Sequence, residues 1–589
     1  MVYIRENSIY IFLVANKRLL RYAFLWGIPF AISCVLGWRL VREGTVFGPG
    51  GSAAAYAESL LLFILETAVL SVPAAAFAAV VMGGGRWKSG GKERNTEPKK
   101  RKAVWLFYSL CIFLCWLPVF LAYYPSVFAY DAEGQLYQVL AGDYSTHHPL
   151  VHTLFLGAFF RLGIAAGSCS AGMAVHSVVQ MALMACAFGW ALCFLYQRRV
   201  SGRVRALLFL FFAFFPANSV LAVSTTKDVL FAALVLLYTL SVYRVVCKEN
   251  ASEKQGVAVR KKELAVCVFC AVFMLLFRNN AVYAFVAGAP VIYAGLGERR
   301  RQKENGVQDA GVQKDDSLQK KKARKIYVCM MLLALAMYGV CAFSLKTAVH
   351  AQNGSPREML SVPLQQMART RVKEEEEIAP ALRQELEKYI SSEWVFAAYN
   401  PHLADPVKSR AVIHDDPAGL IRTWVRLGLA HPAVYIDAFL DNSLGLWYLW
   451  DTSHAQVYGI GTESGFGYLS TDNRVMPAGF EVEERSLLPG LRIFLERIVS
   501  DNEYSKIPVV RLLFAPALYW WLLWMYLVTV FYRKTYKEAL PAVFLATYYL
   551  TLLLSPTVLV RYAYPLMVTI SVLLPCLLAG AERESENTQ

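Results

Sequence analysis

The sequence predicts an all-α polytopic membrane protein, and three observations support this fold class. First, 56% of the 589 residues are hydrophobic and the mean hydropathy is +0.39. Second, only 17% of the residues are charged, whereas soluble domains carry about 25%. Third, apolar runs recur along the chain and alternate with short basic loops, and many of them approach the about 20 residues that a helix needs to cross a bilayer.

The apolar runs predict about twelve crossings, with two short pieces counted as the arms of a hairpin around Arg278. The predicted crossings are 20–40, 54–82, 104–123, 171–196, 206–223, 229–246, 264–277, 281–294, 327–349, 509–532, 539–554 and 562–578. The apolar segment 149–163 has only 15 residues, so we interpret it as a helix that lies at the outer interface or re-enters. This interpretation keeps the basic run from Gln197 on the same side as the other basic loops.

Basic residues collect in the loops between apolar runs, which is the pattern of the cytoplasmic side of a membrane. Eight of them lie between Arg86 and Lys102, and others lie in 248–262 and 297–325. The resulting topology places both termini in the cytoplasm. Two arginines at the outer end of the first run do not follow this pattern, but the eight basic residues of the next loop outnumber them. Because these loops account for the net charge of +15, we expect no nucleic-acid partner.

Composition divides the chain into four predicted parts. They are 1–103, a two-helix membrane segment with a basic cytoplasmic loop; 104–349, a membrane core; 350–508, an extracytoplasmic and mainly helical domain; and 509–589, the closing transmembrane helices with a cytoplasmic tail. The third part is richer in charge, proline and glycine. Its apolar run from Ala433 carries Asp437 and Asp441, which make a crossing costly, so we expect an interfacial helix there.

The twelve cysteines all lie in or beside apolar runs, and none falls between Ala351 and Pro508. This placement predicts small buried packing residues rather than disulfides. Cys267 and Cys270 form a CVFC motif inside an apolar run, without the second pair that a metal site would need.

The densest polar group near the predicted membrane core lies in the loop 124–152. Its ionisable residues include Asp131, Glu133, Asp143, His147, His148 and His152, all within 22 positions. Desolvating such groups at a membrane edge is costly, so their clustering there indicates a function. The predicted topology brings four more ionisable residues to the same outer face, namely Lys227, Asp228, Arg278 and Arg561.

A carboxylate, histidines and several cations at one bilayer face suit a reaction on an anionic lipid. Lysine and arginine can neutralise a phosphate and stabilise it as a leaving group, and a carboxylate can take the proton of an attacking hydroxyl. The predicted substrate-binding residues are His148, His152, Lys227, Asp228, Arg278 and Arg561.

Each of these residues also has a purely structural interpretation. Asp131 would cap the helix that follows it, and Lys227 would pair with Asp228 at a helix start. Arg278 would extend to lipid headgroups from its hairpin tip. His148 and His152 are spaced i, i+4 and would either bind a divalent metal together with Asp131 or form hydrogen bonds to substrate or loop backbone.

Short motifs in this region resemble the GT-C superfamily of membrane glycosyltransferases. They are Tyr130-Asp131 after the first core crossing and His148-Pro149-Leu150 at the start of the next helix, and Lys227-Asp228 resembles a later acidic position of those enzymes. The chain resembles more closely a bacterial membrane family catalogued as domain of unknown function 6020. The motifs that carry this resemblance are YPSVFAYD, GDYSTHHPLVHTL, TTKDVLFA, FRNNAVY, SVPLQQMAR and VRYAYPL.

The resemblance implies a GT-C-like fold in a bacterial plasma membrane and an inverting glycosyltransferase. The enzyme would move a sugar from a polyprenyl phosphate to a cell-envelope glycan or lipid at the outer face, amid membrane lipids. Asp131 would act as general base or help to bind a divalent metal. Two alternatives stay open: a lipid or polysaccharide flippase or transporter, which the lack of an internal repeat disfavours, and a cell-wall polymer ligase or polymerase.

Overall fold

The computed structural model describes residues 17–48, 53–83, 97–247, 253–296, 310–413, 416–450, 477, 479–483, 485–499 and 503–579. Within these ranges the chain is helical, and its only β-type pairings are three isolated bridges. The all-α prediction is therefore confirmed. All twelve cysteines are unpaired.

Twelve α-helices precede residue 350 in the described ranges. They are α1 Lys17–Glu43, α2 Ala53–Gly83, α3 Pro98–Ala122, α4 Tyr130–Ala141, α5 Leu150–Ala165, α6 Cys169–Gln197, α7 Gly202–Phe214, α8 Pro216–Ala222, α9 Asp228–Cys247, α10 Glu253–Phe277, α11 Ala281–Gly295 and α12 Ala310–Ala348. Twelve more follow in the described part of the chain. They are α13 Ser361–Glu374, α14 Pro380–Glu387, α15 Ser392–Ala398, α16 Asp405–Arg410, α17 Pro417–Ala430, α18 Pro432–Asn442, α19 Leu444–Trp447, α20 Pro489–Val499, α21 Pro508–Phe514, α22 Pro516–Arg533, α23 Val543–Leu552 and α24 Val560–Ala579.

Prolines start or bend several of the apolar helices. Pro216 opens α8 after a 49° bend from α7, and Pro516 opens α22 after a 75° bend from α21. Proline suits the first turn of a helix, where its missing N–H is not needed, and it interrupts a helix that would otherwise continue.

Seven of the described helices are long and apolar enough to cross a membrane, or up to nine if each bent pair forms one span. The chain is therefore a multi-pass membrane protein, and its described part has fewer full-length helices than the twelve crossings predicted from apolar runs. The difference has a physical origin in helix length. Helix α11 has 15 residues and α23 only ten, so neither is long enough to cross alone. Helix α5, with 16 residues, is likewise short, as expected for its segment.

The core of the membrane region forms around α3, α6, α9 and α24. The most apolar windows of α9 and α24 are each 72% buried inside the protein, whereas that of α12 is 6% buried. Helices α9 and α24 are therefore central, and α12 lies at the periphery with most of its surface free to face lipid.

Helices α13 to α18 form a separate helical unit, which we call the cap domain (residues 356–442). It has its own core, which includes Leu364, Met367, Leu386 and Leu427. The run from Ala433 forms most of α18, and both of its carboxylates are largely buried inside the protein. The chain then returns to the membrane region. Just before α20, Leu487 N donates to Leu121 O at the end of α3.

Candidate functional site

The loop between α3 and α5 is held against the turn that precedes α9. Val127 N donates to Val223 O at 3.0 Å and Thr225 N donates to Val127 O at 2.8 Å. Ala129 N donates to Thr225 Oγ1 at 2.9 Å, just before α4 begins. These bonds place the first turn of α4, which carries Asp131, beside the Thr-Thr-Lys-Asp turn.

Asp131 is in direct contact with cations from two other segments. Lys227 Nζ lies 2.8 Å from Asp131 Oδ2, and Arg561 Nη2 lies 3.9 Å from the same oxygen. His148 Nδ1 is 4.0 Å from this oxygen and 3.4 Å from Lys227 Nζ. Three side chains from separate segments, His148, Lys227 and Arg561, thus meet around one oxygen of Asp131.

A second carboxylate, Asp228, extends the network inward. It is 0% exposed and forms an ion pair with Arg278, while Arg561 Nε lies 3.7 Å from its Oδ2. Thr226 Oγ1 donates to Asp228 Oδ2 at 3.1 Å, and Arg561 Nη1 donates to Thr226 Oγ1 at 3.4 Å. Arg561 therefore lies between the two carboxylates. We call Asp131, His148, Lys227, Asp228, Arg278 and Arg561 the ionic site.

Arg278 is fixed at the tip of the hairpin formed by α10 and α11. Its guanidinium lies 4.6 Å from the ring centre of Tyr562, with two further aromatic rings within 6 Å. Arg278 Nε donates to Asn280 Oδ1 at 3.0 Å, and Asn280 Nδ2 donates to Thr551 Oγ1 at 3.0 Å. Arg278 is 8% exposed, so its side chain is directed into the protein rather than towards headgroups.

His152 lies behind the ionic site and contacts none of its carboxylates. It is 0% exposed, and its Nδ1 is 3.2 Å from Gln135 Oε1 on α4. Gln135 Nε2 donates to Thr153 Oγ1 at 3.0 Å. These contacts join α4 to α5, so His152 supports the helix that carries Asp131.

The contacts around Asp131 do not fit a divalent metal held by Asp131, His148 and His152. No three His, Cys, Asp or Glu side chains are grouped for metal binding in the described part of the chain. The Lys227 ammonium lies next to both Asp131 and His148, where a cation of the same sign would be repelled.

The neighbouring charges set the protonation of the exposed end of the site. Partial burial raises the pKa of Asp131, but Lys227, Arg561 and His148 together hold that pKa well below its usual range. Burial, followed by the charge of Lys227, lowers the pKa of His148 to about 3. At neutral pH Asp131 is therefore ionised and His148 is neutral.

The charges of the ionic site do not balance. Three cations, Lys227, Arg278 and Arg561, meet two carboxylates, Asp131 and Asp228. Arg561 makes the loosest contacts, at 3.7 and 3.9 Å, although its side chain is only 11% exposed. A largely buried cation without a close counter-ion is costly, so the site is suited to receive an anion beside Arg561.

Sequence reasoning missed several neighbours of these residues. Thr226, Asn280, Tyr562 and Gln135 all contact a predicted site residue or its helix. Three of them lie inside motifs that the sequence analysis singled out, TTKDVLFA, FRNNAVY and VRYAYPL. Their polar or aromatic character inside those motifs was the available signal.

The fold and the site together define a class: a multi-pass α-helical membrane protein with a buried ionic site at the end of the membrane region that carries the cap domain. Within that class, the chain belongs to the family of unknown function DUF6020, whose profile matches residues 139–304 and 317–589. The sequence resemblance to this family is thus confirmed. Every ionic-site residue except Asp131 falls within the matched ranges. The comparisons with curated proteins and with solved structures give no significant match.

Proposed function

We propose that this protein is an inverting glycosyltransferase that moves a sugar from a polyprenyl phosphate to a cell-envelope acceptor. The reaction would take place at the outer face of a bacterial plasma membrane, within a GT-C-like arrangement of helices with both termini in the cytoplasm. The observation that carries the proposal is the surplus cation, Arg561, at a largely buried site beside an ionised carboxylate.

The phosphate of the donor would supply the missing negative charge. A sugar phosphodiester of a polyprenol carries one negative charge, and the ionic site has three cations for two carboxylates. Arginine binds phosphate oxygens through two parallel N–H groups. The apolar helices around the site would leave the prenyl chain in the lipid phase while its phosphate reaches Arg561.

In the proposed reaction, the acceptor hydroxyl attacks the anomeric carbon of the sugar. Asp131 takes the hydroxyl proton, the new carbon–oxygen bond forms, and the bond from the anomeric carbon to the phosphate oxygen breaks. Polyprenyl phosphate leaves with the electron pair, stabilised by Arg561 and Lys227. A single displacement inverts the anomeric centre. The buried Asp228 holds Arg278 and Arg561 in place.

Lys227 would be shared between the base and the leaving group. In the structure it is bonded to Asp131 at 2.8 Å, and this contact lowers the basicity of the carboxylate. An incoming phosphate would draw Lys227 away and raise the basicity of Asp131. The base would then be most active once the donor is bound, which would limit the loss of the sugar to water in an empty site.

A flippase would use the same cations to hold an anionic headgroup without breaking a bond. A deletion strain complemented with variants tests Asp131 as the base, with mass spectrometry of envelope glycans as the readout. We expect wild-type protein to restore the missing glycan and Asp131→Asn to fail. The matched control is Asp143→Asn, which alters an exposed carboxylate of the same loop and should restore the glycan. A transferase with Asp131 as base is excluded if Asp131→Asn restores it fully.

A further inference from the structure

The segment that carries Arg561 is held in place from outside the membrane region. Residues 553–559 connect α23 to α24, and Arg561 is the second residue of α24. Ser555 Oγ lies 2.6 Å from both Leu552 O and Thr557 O and can donate to either, so the segment is folded on itself. The carbonyl groups of Ser555 and Pro556 face the cap domain. We call residues 553–559 the arginine loop.

Two hydrogen bonds from the cap domain hold the arginine loop. Asn442 Nδ2 donates to Ser555 O at 2.9 Å, and Ala404 N donates to Pro556 O at 2.8 Å. Asn442 is 2% exposed and Ala404 is 0% exposed, so both donors are buried, whereas Ser555 and Pro556 are partly exposed. A hydrogen bond from a buried donor fixes position, because breaking it leaves that donor unpaired.

The residues that position Asn442 are themselves firmly held. Its neighbour Asp441 pairs with Arg369 at 2.7 Å, and Arg369 Nη2 donates to Gly44 O at 2.6 Å. His402 Nδ1 is 3.4 Å from Asp441 Oδ1, which fixes the turn before Ala404. The cap domain thus has a rigid base where it contacts the arginine loop.

The segment that leads into the cap domain is bonded to the opposite side of the ionic site. Gln352 N donates to Tyr144 O at 2.8 Å, and Thr146 N donates to Gln352 O at 2.9 Å. Gly354 N donates to Thr146 Oγ1 at 2.9 Å. These bonds hold the loop that ends in His148, and they come from the segment that leads directly into the cap domain.

We propose that Asn442 is a positioning residue for Arg561, and that the cap domain thereby sets the geometry of the anion-binding site. Arg561 makes only loose contacts of its own, at 3.4 to 3.9 Å. Its position is therefore determined mainly by the backbone that carries it, and Asn442 contacts that backbone from the cap domain. The ligand-binding part of this inference rests on the proposed function.

The first test measures how tightly the purified protein in nanodiscs binds a polyprenyl phosphate. We expect Asn442→Leu, which removes the donor at similar size, to weaken binding about tenfold. The matched control is Gln366→Leu. Gln366 bonds to Tyr435 O and Trp424 Nε1 inside the cap domain and not to the arginine loop, so binding should stay within about twofold of wild type. Adding Asn442→Leu to Arg561→Leu should cause no further loss, because the two residues act as one unit.

A second measurement needs no ligand. Hydrogen–deuterium exchange of the peptide covering 553–562 should be faster in Asn442→Leu than in wild type, and unchanged in Gln366→Leu. If Asn442→Leu does not fold, Asn442→Ser replaces it, because serine is too short to reach Ser555 O.

The outcomes distinguish this inference from the proposed function. If wild type binds the phosphate and Arg561→Leu does not, while Asn442→Leu binds normally, the positioning role is overturned and the proposed function stands. If wild type does not bind the phosphate, the proposed function fails and the exchange rates alone decide the role of Asn442. Unchanged exchange in both Asn442 variants would overturn that role.

Discussion

Two buried ionic groups of this protein differ in how they satisfy their charges. The first is the ionic site around Asp131 and Arg561. The second, which we call the cap joint, consists of Arg369, Asp441 and His402 and connects the cap domain to the end of α1. In the cap joint one arginine meets one carboxylate at 2.7 Å, and Arg369 also donates to Tyr399 Oη and Gly44 O.

The comparison separates a structural use of buried charge from a functional one. Each charged group of the cap joint has a close partner, so nothing is left for a ligand to satisfy. The ionic site has one cation more than it has carboxylates, and that cation makes its contacts at 3.7 and 3.9 Å. Unsatisfied charge is costly to bury, and such a cost is typical of sites whose ligand supplies the missing partner.

The largest expected effect concerns the base of the ionic site. Asp131→Asn keeps the shape of the side chain and removes its ability to accept a proton. We expect the transfer rate to fall by roughly 10²- to 10⁴-fold, the usual range for a positioned general base. The substrate would be the lipid-linked sugar that accumulates in the deletion strain, with released polyprenyl phosphate measured over time. A rate close to that of Asp143→Asn would contradict the assignment.

A substitution in the cap joint should lower the stability of the fold. Arg369→Leu would leave Asp441 buried without its cation, and breaking such a pair typically costs about 3 to 5 kcal/mol. Thermal unfolding in detergent should show a clear loss for Arg369→Leu. The control Arg426→Leu removes an exposed ion pair with Glu385 and should change stability by less than about 1 kcal/mol. Equal losses in the two variants would mean that the cap joint stabilises the fold no more than an exposed ion pair does.

Arg561 should show the opposite behaviour to Arg369. Arg561→Leu removes the surplus cation, so we expect phosphate binding to weaken by roughly 10- to 100-fold, as for a lost charged hydrogen bond. Stability should stay equal or increase, because repulsion from Lys227 and Arg278 is relieved. Binding and thermal unfolding would be measured on the same preparation. A strong destabilisation would mean that Arg561 is structural, like Arg369.

The sequence could predict that the site residues lie at one face of the membrane, because the order of apolar runs and basic loops determines the face at which each turn lies. Asp131, Lys227, Arg278 and Arg561 each follow or precede an apolar run at the same end. The structure brings all four into one network. Their chemical roles stay predictions.

The sequence could not predict the direction of each side chain around its helix, nor where each helix begins and ends, because neither follows from the order of apolar runs and basic loops. His148 and His152 share a spacing that suggested one common face, yet helix α5 begins only at Leu150, so His148 lies outside it. His148 contacts Lys227 and His152 contacts Gln135. The count of twelve crossings is not confirmed, because apolar composition does not show where a helix ends, as at α23.

The smallest expected effect tests the electrostatics of the ionic site through pH. The folded pKa of His148 is about 3, below its ordinary 6.5, so the unfolded chain binds a proton between these values and the folded chain does not. Stability should therefore fall as the pH drops below about 6.5, by about 1.4 kcal/mol per pH unit from this residue. His148→Gln should show a shallower loss of thermal stability between pH 7 and pH 5 than wild type, whereas His147→Gln, at an exposed neighbour, should follow wild type. If His148→Gln and wild type lose stability in parallel, the pKa of His148 does not differ between the folded and the unfolded chain, and the lowered pKa of His148 beside Lys227 is contradicted.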